Sequence, residues 1–95
     1  MIDTTNSQPP WHVYIVKCKD DTYYTGITTN LGRRLREHNS LDKGARYTRP
    51  RQPVKLVYTE PAQSRSEAAS REYQIKKLSL IQKKVLILTP VIPSP

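Results

Sequence analysis

Apolar and polar positions alternate from Trp11 to Lys19, with Val13 and Ile15 on one side and Tyr14, Val16 and Cys18 on the other, and this period of two predicts a β-strand. Asp20 and Asp21 make a turn. Tyr23 to Ile27 is a second short β-type run, so the two predict an antiparallel hairpin. The period then changes: Leu31 and Leu35 recur at i,i+4 behind Asn30, a good N-cap, which predicts a helix over Leu31 to Asn39 with Gly32 as its weak point. Ser40 to Pro53 has no period and reads as loop. Val54 to Thr59 is a third strand, expected to end before Pro61. Ser64 with Glu67 and Ser79 with Gln82 are capping-box signatures. They predict one helix from Arg65 or Ser66 to Leu78 and a last one to about Leu88. The order β-β-α-β-α-α predicts a mixed α and β fold, a small three-stranded antiparallel sheet flanked by helices. Residues 1–10 read as a flexible arm, 11–88 as the single domain and 89–95 as a tail.

A chain of 95 residues has room for one domain and a thin core. Sixteen Lys and Arg against eight Asp and Glu leave a net charge of +8, which calls for an anionic partner. Nucleic acid is favoured over a membrane, because the longest aliphatic run, Val85 to Leu88, is far short of the roughly 20 residues a span needs. The lone Cys18 and the lack of an apolar signal region predict a reducing, cytoplasmic compartment. Two histidines and one cysteine do not make a zinc site, so any metal must be held by oxygen. The charge is concentrated between Leu31 and Lys55, where Arg33, Arg34, Arg36, Lys43, Arg46, Arg49, Arg51 and Lys55 face only Glu37 and Asp42. Such a run is either a solvated face or a phosphate track. Tyr47, between Arg46 and Arg49, suits stacking on an unpaired base.

Some residues sit awkwardly for a purely structural role. Along the second helix Glu72 falls between Ala68 and Ile75, inside the apolar stripe, where a carboxylate needs a cation, either a basic side chain or a metal. Along the first helix Arg34 and His38 flank the Leu31–Leu35 stripe together, as a surface guanidinium and a boundary imidazole or as members of a site. Six tyrosines and no phenylalanine place many hydroxyls in or near the core, each in need of a partner. Tyr14 and Tyr24 are either sheet residues with wet hydroxyls or the lining of a polar cleft.

Tyr14 within Val13-Tyr14-Ile15, then Tyr24-Thr25-Gly26, then Asn30 to Asn39 and finally Arg71 to Leu78 together resemble the GIY-YIG nuclease domain. The resemblance covers about residues 11 to 88. It is closest to the short stand-alone bacterial branch, related to a structure-specific junction nuclease subunit, which carries a stretch like Gly44 to Arg49. His12 and Val13 replace the first Gly-Ile, and Thr25 replaces the second Ile. The resemblance implies a DNA endonuclease, structure- rather than sequence-specific, with a setting in repair or recombination. It would use one Mg²⁺, or Mn²⁺, held by Glu72. By the same resemblance Tyr14 is the general base, Arg34 the electrostatic clamp, and Tyr24 and His38 orient water and phosphate. Nearby cations would have to lower the Tyr14 pKa from its usual value of about 10. Arg33, Arg36, Lys43, Arg46, Tyr47, Arg49 and Arg51 are the candidate nucleic-acid contacts. The expected partner is single-stranded, flapped or branched DNA, ahead of RNA. The rival reading is a binding module that keeps the fold without cleaving; a small RNA- or ribosome-associated protein is a third.

Overall fold

The computed structural model describes residues 10–89, so most of the expected arm and tail lie outside the described residues. The elements are β1 (Trp11–Lys17), β2 (Tyr23–Thr28), α1 (Leu31–His38), a 3-10 turn at Arg49–Arg51, β3 (Lys55–Ala62), α2 (Arg65–Lys76) and α3 (Leu80–Leu88). The sheet has the order β2-β1-β3 with both pairings antiparallel, which is the expected fold class.

Each element forms for a local reason. The β1–β2 turn closes through Asp20, whose carboxylate accepts from the Thr22 amide at 3.2 Å and hydroxyl at 2.6 Å. Asp21 takes the left-handed φ of 67°, one of the few residue types that does so at low cost. Helix α1 starts where the Asn30 side chain accepts from the Arg33 amide at 2.9 Å. Ser64 caps α2 by accepting from the Glu67 amide, while the Glu67 carboxylate reaches back to the Gln63 amide. At α3 the reciprocal box between Ser79 and Gln82 is complete.

Strand β3 departs from expectation. It runs on through Pro61 to Ala62, with Pro61 opposite His12. Among the described residues β3 pairs only with β1, and an edge strand tolerates a residue that has no N–H to donate. A register shift opposite Ile15 and Val16 passes over Val57, so Tyr58 faces Ile15 and Leu56 faces Val16.

The alternation in β1 divides the core in two. Val13 and Ile15 pack with Tyr58, Ala62 and the α2 residues Ala68 and Ile75. Tyr14, Val16 and Cys18 pack with Val54 on the opposite face, under half-buried Tyr24, Leu31 and Leu35. The loop from residue 40 to 53 is pinned where it leaves α1 and where it enters β3. Asn39 exchanges two hydrogen bonds with the backbone of Val54, and the Gln52 amide donates to the carbonyls of His38 and Ser40. These ties hold the basic loop against the α1 face of the sheet.

Candidate active site

Tyr14 projects from the middle of β1 toward the end of α1, and its hydroxyl lies 2.7 Å from His38 Nε2. Both groups are buried; His38 is fully so. This differs from a boundary histidine. The apolar stripe of α1 is only half-buried at Leu31 and Leu35, and the imidazole is the residue of this helix that enters the core. Its other nitrogen, Nδ1, lies 2.8 Å from the Thr48 hydroxyl. Both ring nitrogens of His38 are thus engaged inside the protein. Tyr24 meets the same imidazole edge-on, with ring centroids 5.3 Å apart.

Arg34 lies one turn before His38. Its Nη1 donates to Glu37 Oε1 at 2.9 Å and to the Lys43 carbonyl at 3.3 Å, and the guanidinium lies beside the Tyr14 phenol. Tyr14, Val16, Leu31, Arg34, Leu35 and Leu56 line a narrow, mostly apolar seam beside the phenol. Burial therefore governs the acidities. It pushes the Tyr14 phenol up to about 12, against the lowering effect of Arg34 and with small upward contributions from the charges of Tyr24 and Glu72. The one guanidinium beside the phenol is thus outweighed by desolvation. Burial, reinforced by Arg34, pushes His38 down to about 4, with Glu37 opposing. At neutral pH the pair is a phenol and a neutral imidazole.

Glu72 comes from α2, on the other side of the sheet. Its side chain is 22% exposed, and Oε2 pairs with Lys76 Nζ at 3.1 Å, so the cation its position demanded is a lysine one turn along the same helix. Lys76 Nζ also lies 6.0 Å from the centre of the Tyr24 ring. The α2 pair thus approaches Tyr24 on β2, the strand next to Tyr14. No group of three or more His, Cys, Asp or Glu side chains able to hold a metal occurs among the described residues. A single carboxylate oxygen donor nevertheless suits a magnesium ion that keeps most of its shell as water and takes the rest from phosphate.

The basic residues are not equivalent. Arg33, Arg36 and Lys43 line a shallow depression of about 300 Å³ with Glu37 and Ser40. Arg46 and Arg49 are exposed. Arg51 is engaged inside the fold: it pairs with Asp20 at 3.0 Å, donates to the Tyr47 carbonyl at 2.8 Å and lies 4.0 Å from the centre of the Tyr47 ring. Tyr47 in turn stacks on Tyr24 at 6.1 Å. Its ring is therefore a link between the loop and β2 rather than an unoccupied platform for a base. Two contributors escaped the sequence reading, Thr48 as the partner of His38 and Tyr47 as the brace of Tyr24. Only the burial of a hydroxyl between two arginines would have signalled the first, and a loop has no period to reveal it.

A three-stranded sheet that presents a phenol, an imidazole and a guanidinium at the end of its first helix places the chain in a known class. It belongs to the GIY-YIG catalytic domain family, whose pattern matches residues 10–84. Among its relatives, the UPF0213 protein DP2720 of Desulfotalea psychrophila is 61% identical over 84% of this chain and 73% of its own length. The UPF0213 protein VNG_2274C of Halobacterium salinarum is 57% identical over 79% of this chain and 96% of its own. The solution structure of the UPF0213 protein BH0048 from Bacillus halodurans is 46% identical, superposes with a TM-score of 0.54 and covers 83% of each chain. That of EF2693 from E. faecalis is 42% identical, with a TM-score of 0.56 and 82% of each chain covered.

Proposed function

We propose that the protein is a metal-dependent endonuclease that hydrolyses DNA phosphodiesters, selecting strand structure rather than sequence, in repair or recombination. The observation that carries this reading is the buried Tyr14–His38 hydrogen bond with Arg34 beside it, bordered by a basic surface. Hydrolysis needs an acceptor for the proton of the attacking water, positive charge against the nonbridging oxygens, and stabilisation of the leaving oxygen. Tyr14 serves the first need. Its oxygen takes the proton of water while its own proton passes to His38 Nε2, so the balance closes with an imidazolium and no free tyrosinate has to exist beforehand. Arg34, held at a fixed angle by Glu37 and the Lys43 carbonyl, serves the second.

Glu72 is the residue that would hold one Mg²⁺ or Mn²⁺, once Lys76 releases its carboxylate. Bound there, the ion supplies charge stabilisation for the leaving oxygen. Arg33, Arg36, Lys43, Arg46 and Arg49 bind the phosphate backbone, and Tyr24 lines the site between Tyr47 and Lys76.

A second reading, a binding module without cleavage, draws support from the Glu72–Lys76 pair, which satisfies the carboxylate without a metal. Labelled single-stranded, flapped and branched DNA, and matched RNA, incubated with and without Mg²⁺, separate the two. The expected result is Mg²⁺-dependent cutting of DNA that Glu72→Ala abolishes, with binding retained. Binding without cutting under every metal tried would favour the module, and cleavage unaffected by Glu72→Ala would remove the carboxylate from the mechanism.

A further inference from the structure

We infer that Thr48 is a positioning residue which fixes the tautomer of His38, and through it the direction in which the Tyr14 proton points. Its consequence for rate rests on the hydrolase reading above; its geometry does not. Tyr14 is 2% exposed, and among the described residues its hydroxyl lies 2.7 Å from His38 Nε2 and beside the guanidinium of Arg34. A guanidinium only donates. The phenol proton therefore goes to Nε2, because the alternative would leave a buried hydroxyl without an acceptor. Nε2 must then be the bare nitrogen, and the ring proton must sit on Nδ1. There it meets Thr48 Oγ1 at 2.8 Å, which accepts it and passes its own hydroxyl proton to the Ala45 carbonyl at 3.1 Å. The line from Tyr14 to Ala45 has one orientation in which every group is satisfied, and among the described residues no buried side-chain polar atom lacks a partner.

Thr48 is fully buried, so this hydroxyl is not a solvated one that happens to lie near a ring. The 3-10 turn that follows it begins with the Thr48 and Arg49 amides both donating to Ala45 O, which sets the height of the hydroxyl above the imidazole. The charged and titratable groups around His38 are Arg34 and Glu37 on α1, with Tyr14 on β1 and Tyr24 on β2. None of them is an acceptor facing Nδ1, so among the described residues Thr48 is the group that receives the Nδ1 proton. With the opposite tautomer, Nε2 would carry a proton and could not receive one from Tyr14.

The test uses the intact chain labelled with ¹⁵N at histidine, and reads the two ring nitrogens of His38 by long-range ¹H–¹⁵N correlation at neutral pH. Wild type and Thr48→Ser should both show the Nδ1–H form. Thr48→Val, which keeps the shape and removes the hydroxyl, should shift the ring toward the Nε2–H form or a mixture. Backbone amide spectra of all three establish that each is folded. On a cleavable DNA, Thr48→Val should lower kcat by about tenfold or more with KM unchanged, and Thr48→Ser should restore most of it. An Nε2–H ring in wild type, or an Nδ1–H ring that persists in Thr48→Val, overturns the inference. If wild type cleaves no DNA but the tautomer responds as expected, the assignment of Thr48 stands and it is the hydrolase reading that fails.

Discussion

Gly26 on β2 lies directly opposite Tyr14 on β1, and a Cβ built on it would lie 2.5 Å from the phenol oxygen. The absence of a side chain is what lets the ring lie over the strand and reach His38. Gly26→Ala is expected to push the hydroxyl out of hydrogen-bonding range and to reduce DNA cleavage by about 100-fold with the fold kept, as measured by single-turnover kinetics beside an amide fingerprint spectrum. His38 makes a second prediction. Its folded pKa of about 4 lies below the ordinary value of 6.5, so the unfolded chain binds more protons between those limits. Stability contributed by the neutral ring is fully present above pH 6.5 and is lost as pH falls toward 4, by an amount on the order of 3 kcal/mol. Urea midpoints should fall across that window in wild type, and the drop should be smaller in His38→Gln. The sequence exposed Tyr14, Arg34, His38 and Glu72 because each sat oddly on a periodic element. It hid the depth of His38, since projection along one helix places a side chain on a face without saying what closes over it.

At the scale of elements, α2 has to hold Glu72 at the sheet while contributing Ala68 and Ile75 to the core. Ile75 is completely buried beside Val13 and Ile15, so Ile75→Ala should cost about 3 kcal/mol in chemical denaturation and weaken the placement of Glu72. The loop arginines fall into two groups. Replacing exposed Arg46 and Arg49 by Ala should flatten the log–log salt dependence of DNA binding by up to about two contacts' worth of slope, with stability little changed. Replacing Arg51 should instead lower the unfolding temperature, because it removes the contacts to Asp20 and Tyr47. An equal effect of all three on the salt slope would count against this division. Most element boundaries were legible because capping side chains and strand alternation are local signals. Pro61 misled, because its effect depends on whether a strand has a neighbour on both sides, and that is a property of the sheet.

For the whole molecule, the size and charge predicted one basic domain, and the described residues contain no helix long and apolar enough to cross a membrane. The order of the elements and the β1–β2 pairing followed from short connections and patterning, whereas the place of β3 beside β1 and the meeting of α2 with the opposite face of the sheet did not. The groups that would act on a phosphodiester are drawn from β1, β2, α1, the basic loop and α2, so the site spans the chain from Tyr14 to Glu72. A ribosome must therefore deliver most of the polypeptide before the groups of the proposed centre can meet. Fragments ending before α2 would carry the cationic surface but lack Glu72. On the proposed reading, unfinished copies of the chain would bind nucleic acid without cutting it.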